Sequence, residues 1–550
     1  MIRHRTVSLL ASVLLGIAGC GGGSGGDTGG PPPPPPPPPP ITKAEAFQFL
    51  NQATFGATEA EAQRIIAMRF EAWIDDQMSK PASLQLPHMQ TLPPPQFMGQ
   101  LHTDRVDSWF RNSLWGEDQL RQRVAFALSE IMVVSQLGAL QQFPFAVADF
   151  YDVLAERAFG NYRDLIEEVT LHPAMGVYLS MLGNEKPDPA ANIRPDENYA
   201  RELMQLFSVG LVELDLDGTE MTDGNNQPIP TYTQEIIEGF AHVFTGWTWA
   251  GAYAFHPNPF LLPQSSQFFP MEHWSQFHAT GTKQLLAGVV LPSGQTGEQD
   301  LSDALDNVFN HPNVGPCMAI RLIQRLTTSN PSPGYVRRVA QVFNDNGRGV
   351  RGDLGAVVKA ILLDPEARPA MPMEIDGKLK EPVLRLTQLF KAYNATSQSG
   401  RYPLVASYII FGQGPLQSPS VFNFFSPFYA PPGEIRNSGL VAPELEIATE
   451  YLNTFFANYM FFQAFGLNHT NQDLNEDDIY INFQEEMDVA ADSDALIDMV
   501  AGKLLGGVIS ETLRTEIAGM LALIPEDNPA IRAAETIYFV TTSPEYAYQR

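Results

Sequence analysis

A run of glycine and proline at residues 21–40 separates a short leader from a long body. Residues 21–30 are mostly glycine and behave as flexible coil, whereas the ten prolines at 31–40 adopt polyproline II at about 3.1 Å per residue. Neither composition buries enough apolar surface to join a packed core. We therefore predict that residues 20–40 form a tether without contact to the body, and that the body begins at residue 41.

The leader has the pattern of an export signal. Arg3 and Arg5 precede an apolar stretch at residues 7–17, which is too short to span a bilayer. The following Ile-Ala-Gly-Cys ends at Cys20 and resembles the lipobox of bacterial lipoproteins, in which the cysteine is acylated. We predict a signal peptide at residues 1–19, a lipid anchor at Cys20 and a location in the cell envelope. The outer membrane is preferred because Gly21 replaces the Asp that retains some lipoproteins at the inner membrane.

Cysteine and charge counts limit the partners. The second cysteine, Cys317, has no partner if Cys20 carries lipid, so the body folds without a disulfide. Cys317 lies among apolar helix positions and is expected in the core rather than as a nucleophile. The formal charge of −28 argues against nucleic acid as a partner. Residues 437–502 carry thirteen Asp or Glu and no Lys or Arg, which predicts a solvated face, with weak divalent-cation binding as the alternative.

Apolar residues recur at helical spacing from residue 42 onward. Thr58 and Glu61 have the spacing of a capping box. A second apolar stripe has Arg121, Arg123 and Glu130 on its polar side and consists of Leu120, Val124, Leu128, Ile131 and Val134. Alternating strand patterns are scarce. We therefore predict one large, mainly α-helical domain over residues 41–550, with long ordered loops rich in proline, glycine and aromatic residues.

The stretch DENYARELMQLFSVGL, residues 196–211, is dense in polar groups beside an apolar stripe. Glu197 and Arg201 are spaced as an i, i+4 pair that stabilises a helix by a few tenths of a kcal/mol. The alternative is a site in which Glu202 is a carboxylate base or ligand, oriented by Asn198 and Arg201.

A second helix is predicted within YTQEIIEGFAHVFTGWTW, residues 232–249. Glu235, Glu238 and His242 lie on one face, which makes them weak candidates for a metal site without an established motif. The acidic stretch LDLDGTEMTDGN, residues 214–225, breaks the EF-hand pattern and is interpreted as a turn. No phosphate-binding loop, dinucleotide fingerprint or nucleophile elbow occurs, so no cofactor is implied.

The two helices have complementary apolar stripes and are expected to pack together. Their polar sides would then share a seam. We predict on this basis that Arg201 is buried and paired with a carboxylate, with Glu202 or Glu238 as its partner.

A series of motifs, in order from about residue 41 to residue 550, resembles a large bacterial family, domain of unknown function 1800. These motifs include HPAMGVYL, ENYARELMQLFSVGL, PTYTQEIIEGFAHVFTGW, FHATGTKQLLAG, HPNVGPCMAIRLIQRL, KLKEPVLRL and SPSVFNFFSPFYAPPGEI. The resemblance implies an exported protein, often encoded beside a second exported family, domain of unknown function 1501, which makes a member of that family a candidate partner. It implies no activity and no catalytic residue.

Two functions are consistent with these observations. The first is a non-catalytic binding or scaffold protein for an envelope partner or an exported polymer. The alternative is a carboxylate- or metal-dependent hydrolase acting on an extracellular polymer through residues such as Glu202 and Glu238. An enzyme is expected to bring Asp196, Glu202, Glu238 or His242 into one pocket with shifted pKa values.

Overall fold

Helices build the body of the chain, as the periodicity predicts. The computed structural model describes residues 39–94, 98–369, 373 and 376–549. The described part of residues 41–550 forms one unit and is mainly α-helical. The predicted signal peptide, Cys20 and residues 21–38 of the predicted tether lie outside the described residues.

The first half of the body contains the helices α1 (Lys43–Ala53), α2 (Glu59–Met68), α3 (Phe70–Ser79), α4 (Leu86–Thr91), α5 (Met98–Trp115), α6 (Gln119–Ser129), α7 (Pro144–Arg157), α8 (Tyr162–Leu171), α9 (Pro173–Tyr178), α10 (Asn198–Glu202), α11 (Gln234–Val243) and α12 (Gly297–Phe309). The second half contains α13 (Val314–Leu326), α14 (Pro333–Asn344), α15 (Leu354–Leu363), α16 (Pro382–Ala392), α17 (Ser407–Ile410), α18 (Glu434–Asn437), α19 (Glu450–Phe465), α20 (Gln484–Val489), α21 (Ser493–Leu504), α22 (Glu511–Leu521), α23 (Pro529–Thr541) and α24 (Pro544–Ala547).

Side-chain caps explain why α1 and α2 begin where they do. Thr42 and Glu45 form a complete capping box at α1, in which each side chain accepts from the backbone N–H of the other residue. At α2, Thr58 accepts from the backbone N–H of Glu61 at 3.3 Å. The Glu61 carboxylate instead accepts from Trp73 Nε1 at 2.9 Å. The predicted capping box is therefore only half formed. Thr58 caps α2, whereas the Glu61 carboxylate accepts a hydrogen bond from Trp73 of α3.

Strands in the described residues are two-residue pairs at loop crossings. They are β1 (Trp247–Thr248), β2 (Glu272–His273), β3 (Lys283–Gln284), β4 (Val290–Leu291), β5 (Lys378–Leu379) and β6 (Tyr548–Gln549), paired antiparallel as β1 with β2, β3 with β4 and β5 with β6. In the last pair Lys378 lies opposite Gln549. This pairing brings the end of the chain against the segment before α16 and places Lys378 in the interior.

Helix α6 lies at the centre of the body. Every one of its residues except Arg121 is buried, because α5, α7 and α13 pack around it. Arg123 and Glu130, which the sequence places on the polar side of the stripe, are therefore buried as well. Helix periodicity separates apolar from polar faces, but it does not indicate whether other helices cover the polar face.

No helix in the described part of the chain combines the length and the apolar character that crossing a bilayer requires.

A single buried guanidinium joins the C-terminal helices. Arg532 on α23 donates to the carbonyl oxygens of Ala490 at 2.5 Å and of Leu521 and Ile524 at 2.8 Å, and to Ser493 Oγ at 2.7 Å. The end of α20, the start of α21 and the end of α22 thus share one side chain as their donor.

We expect Arg532→Met to lower the free energy of unfolding by about 3 kcal/mol or more, because several buried acceptors lose their donor. Arg514→Met is the matched control. It removes an ion pair with Asp498, whose side chain is 65% exposed, and is expected to cost less than about 1 kcal/mol. Chemical denaturation measures both, and equal losses would contradict the role assigned to Arg532.

Candidate functional site

The helix predicted over residues 196–211 begins at Asn198 and changes type part-way. Helix α10 ends at Glu202, and Leu203–Phe207 continue as a π-helical segment. π-Helical turns are rare and recur at functional sites. Gln205 and Leu206 in this segment line the cleft described below.

Arg201 is not buried, contrary to the prediction. Its side chain is 40% exposed, and its Nη2 lies 3.0 Å from Glu197 Oε2. Gln234 Nε2 donates to the same Glu197 carboxylate at 2.9 Å. The predicted pairing with Glu202 or Glu238 is wrong, because this face of α10 turns to solvent and the i, i+4 pair forms within the helix instead.

Glu202 is the sequence-predicted site residue that the fold buries. Its side chain is 5% exposed, and its Oε2 accepts no hydrogen bond from the described residues. Burial raises the pKa of Glu202, and the nearby Arg201 lowers it in part. Burial and, to a smaller extent, the Glu202 carboxylate raise the pKa of Tyr178 and of Tyr232 to about 12. Glu202 thus lies near the phenol groups of Tyr178 and Tyr232. In sequence it precedes the cleft-lining residues Gln205 and Leu206 by about one helical turn.

Helices α10 and α11 pack together as predicted, with the Tyr199 and Phe244 ring centroids 5.0 Å apart. The polar residues of α11 do not meet Glu202 in a shared pocket. Glu235 and Glu238 are exposed and His242 is half-buried. Burial and then the charge of Lys283 lower the pKa of His242.

The described residues contain no group of three or more His, Cys, Asp or Glu side chains arranged to hold a metal ion. The weak metal interpretation of Glu235, Glu238 and His242 therefore gains no support. In the acidic loop, Asp217 accepts from Arg337 Nη2 at 2.6 Å and from the Thr219 backbone at 3.0 Å. These bonds lower the pKa of Asp217 to about 2, and they match the turn interpretation rather than the calcium alternative.

A cavity of about 800 Å³ opens beside the π-helical segment, and we call it the cleft. Its walls come from that segment, the chain after it, helix α13 and residues 419–428. Its apolar lining includes Ile131, Leu206, Leu211, Val212, Leu214, Ile320, Val421, Phe422, Phe424, Phe425 and Phe428. Its polar and charged lining consists of Glu130, Gln205, Glu220, Arg321, Arg325, Ser420, Asn423, Ser426 and Glu446.

Two arginines of α13 project into the cleft. Arg321 and Arg325 are four residues apart and therefore share one face of the helix. The Arg321 guanidinium carbon lies 4.7 Å from the ring centroid of Phe428, and that of Arg325 lies 4.5 Å from Phe425, so both rings make cation–π contacts. Burial lowers the pKa of Arg321 to about 10, which leaves it charged near neutral pH.

Glu130 lies behind Arg325 at the floor of the cleft. Its Oε1 accepts from Gln413 Nε2 at 3.2 Å and from Asn423 Nδ2 at 3.3 Å. Its Oε2 accepts no hydrogen bond from the described residues and lies 3.5 Å from Arg325 Nη1. Burial raises the pKa of Glu130 well above its ordinary value; Arg325 opposes this shift and the neighbouring Glu381 carboxylate reinforces it.

A buried ion cluster of Lys378, Glu381 and Glu444 lies next to Glu130. Lys378 Nζ lies 2.9 Å from Glu444 Oε1 and 3.3 Å from Glu381 Oε1, and none of the three side chains is more than 2% exposed. Burial alone would raise the pKa of Glu381, but Lys378 and two nearby guanidinium groups hold it below its ordinary value. Lys378 and Arg123 also donate to the carbonyl oxygen of Arg325, at 3.1 and 2.6 Å.

Cys317 lies in the wall of the cleft rather than in the apolar core. Its thiol donates to the carbonyl oxygen of Val209 at 3.2 Å. Burial raises its pKa to about 12, so the nucleophilic thiolate is not populated near neutral pH.

The comparison with protein families decides what the chain belongs to. A family model described as "Protein of unknown function (DUF1800)" matches residues 48–548. The chain is a member of this family. The matched region takes in every residue that lines the cleft. No curated protein and no solved structure matches the chain.

Sequence reasoning missed the residues that form the floor of the cleft in this DUF1800 member. A usable signal was present, because Arg321 and Arg325 interrupt an apolar helix and buried charges require partners or a ligand. Their surroundings come from residues 130, 378–381 and 419–428, which are distant in sequence. No local pattern relates these segments to one another.

We expect Lys378→Met to lower the free energy of unfolding by about 3–5 kcal/mol, because Glu381 and Glu444 lose their counter-ion in the interior. Lys359→Met is the matched control, since Lys359 also bridges two carboxylates, Glu71 and Asp75, which are exposed. The control and Arg201→Ala are each expected to cost less than about 1 kcal/mol in chemical denaturation. A loss at Lys378 as small as that at Lys359 would show that the cluster does not stabilise the fold.

Proposed function

We propose that this DUF1800 member is a non-catalytic binding protein of the cell envelope and that its ligand occupies the cleft. The observation that carries the proposal is the cleft itself, about 800 Å³ of mostly apolar space with a few charged groups at its floor. Ligand sites in proteins typically measure about 300–1,000 Å³ and combine apolar walls with a small number of placed polar groups. The cleft fits both criteria.

The wall formed by residues 415–428 is fixed from behind, which supports a preformed site. Arg105 Nη2 donates to the carbonyl oxygen of Pro415 at 2.9 Å, and Ser135 Oγ donates to that of Ser418 at 2.7 Å. Asn423 bonds to Glu130, as described above. A wall held in place before binding costs little further ordering when a ligand enters.

Exposed aromatic rings at the mouth of the cleft also support a binding role. Phe422 and Phe428 are 55% and 66% exposed, although both line the cleft. Large apolar side chains that remain in water beside a cavity are typical of binding surfaces.

The hydrolase alternative has less support. Catalysis by two carboxylates requires both groups within reach of one substrate. Asn198, Glu235 and Glu238 are exposed to solvent, and neither they nor His242 line the cleft. Glu202 is buried near the Tyr178 and Tyr232 phenols and does not line the cleft. These positions favour binding over catalysis.

The proposal includes the lipid anchor at Cys20 and a location outside the cytoplasm, with the outer membrane preferred. The lipobox-like sequence and the glycine- and proline-rich segment after it support this part. An anchored binding protein would hold an exported molecule at the envelope, and a member of the domain of unknown function 1501 family remains a candidate partner.

We expect Cys20→Ser to abolish labelling of the chain by an alkyne-tagged fatty acid in growing cells, because the thiol is the predicted site of acylation. Cys317→Ser is the control and is expected to label like the wild type. Label that persists on the Cys20→Ser chain would place the acylation elsewhere and contradict the anchor.

We expect Val421→Trp to weaken binding of a neutral apolar dye such as N-phenylnaphthylamine by at least about tenfold, because the indole fills space that the ligand needs. Val350→Trp adds the same ring at an exposed position outside the cleft and is expected to leave binding unchanged. Fluorescence titration measures both. Equal affinities in the two variants would show that the cleft is not the apolar binding site.

A further inference from the structure

We infer that the ligand of the cleft is an amphipathic anion, a carboxylate or phosphate on an acyl or alkyl chain, with its anionic group at Arg321 and Arg325. This inference rests on the proposed function, because it assigns a chemical class to the molecule that the cleft binds. Neither sequence reasoning nor the family description points to such a ligand.

Arg321 is the first reason. Within the described residues its guanidinium makes no ion pair and no hydrogen bond, and its one side-chain contact of note is the ring of Phe428. A guanidinium offers five N–H donors in a planar fork that matches carboxylate and phosphate geometry. A half-buried cation in a cleft, to whose donors the described residues offer no partner, is suited to an anion from outside.

Arg325 is the second reason. Its nearest carboxyl group is Glu130, at 3.5 Å, a distance longer than a hydrogen bond. Burial raises the pKa of Glu130 and so disfavours its charged form, and this carboxyl therefore neutralises Arg325 only in part. Two like charges four residues apart on a helix repel each other and destabilise it. One oxyanion between Arg321 and Arg325 would remove this repulsion and satisfy both groups.

The walls indicate an apolar chain rather than a peptide. A bound peptide needs partners for its backbone N–H and C=O groups, usually at a strand edge. None of the described strands borders the cleft. The Asn423 amide is already engaged by Glu130, and the backbone N–H of Ser426 donates to Glu446 at 2.6 Å. An acyl or alkyl chain makes no such demand and fits walls of leucine, isoleucine, valine and phenylalanine.

The charges around Glu130 make the affinity for an anion depend on pH. Arg325, Lys378 and Arg123 face it as cations and Glu381 faces it as an anion. When Glu130 loses its proton, its charge competes with the ligand for Arg325. Affinity for an anionic ligand is therefore expected to fall as the pH rises through the raised pKa of Glu130.

The test is calorimetric titration of the full chain carrying Cys20→Ser, which leaves every residue of the body unchanged. The probes are decanoate, decyl phosphate, decanol and decyltrimethylammonium below their micelle-forming concentrations, with acetate and inorganic phosphate as anions without a chain. We expect decanoate and decyl phosphate to bind at least about tenfold more tightly than decanol, since a hydrogen bond to a charged group contributes about 1.5–3 kcal/mol. The cation and the chainless anions are expected to bind more weakly still.

Single substitutions test which residues bind the anionic group of the ligand. Arg321→Gln is expected to reduce the affinity for decanoate by about tenfold and to leave that for decanol unchanged. Arg348→Gln, at an exposed position outside the cleft, is expected to change neither. Glu130→Gln keeps an oxygen that accepts from Gln413 and Asn423, and it is expected to remove the dependence of decanoate affinity on pH.

The outcomes separate this inference from the proposed function. Equal affinities for decanoate and decanol, unaffected by Arg321→Gln, would overturn the anionic ligand while leaving the cleft as an apolar site. A short apolar peptide that binds through its terminal carboxylate more tightly than decanoate would overturn the acyl or alkyl chain. Absence of binding by every probe, together with equal dye binding in the two tryptophan variants, would remove the proposed function as well.

Discussion

The contacts of Lys378 with Glu381 and Glu444 take three charges out of water at one point. Each ion would lose several kcal/mol of hydration if it were buried alone, and only close pairing returns that free energy. Strand β5, the start of α16 and the turn that contains Glu444 therefore have to meet at this point. Arg123 of α6 donates to the carbonyl oxygen of Arg325, so α6 and α13 also have to meet at this point. Segments separated by as many as three hundred residues are stable here only when all of them are in place.

The cleft follows from this arrangement. With the Arg325 carbonyl held by Lys378 and Arg123, the last turns of α13 have a fixed position, and Arg321 and Arg325 line the cleft. Glu130 connects the cleft with the ion cluster. It lies 3.5 Å from Arg325, and the side-chain amide of Gln413 donates both to Glu130 and to Glu381. The charges that secure the core thus also determine the electrostatics of the cavity above it.

Much of the fold could be predicted from the sequence, because helix caps and apolar spacing are local. The capping residue of α2, the apolar stripe of α6 and the packing of α10 against α11 all follow from such patterns. The burial of Arg123 and Glu130 and the exposure of Arg201 could not be predicted, since a polar face looks the same whether a neighbouring helix or water covers it. The cleft could not be predicted either, because its lining comes from loops and helices that are distant in sequence and are brought together by long-range pairing.

The strongly acidic chain and the arginines of the cleft act on different length scales. Beyond about 8 Å, salt screens the repulsion that a charge of −28 exerts on an approaching anion. At the mouth, Glu220 and Glu446 still disfavour a small free anion. A small free anion can interact only with the two guanidinium groups. An amphipathic anion also buries its apolar chain, which contributes about 25 cal/mol per Å² of apolar surface removed from water. Under the proposed function, exposed Glu220 and Glu446 together with the two arginines would favour ligands whose apolar part compensates the repulsion at the entrance over inorganic phosphate and acetate.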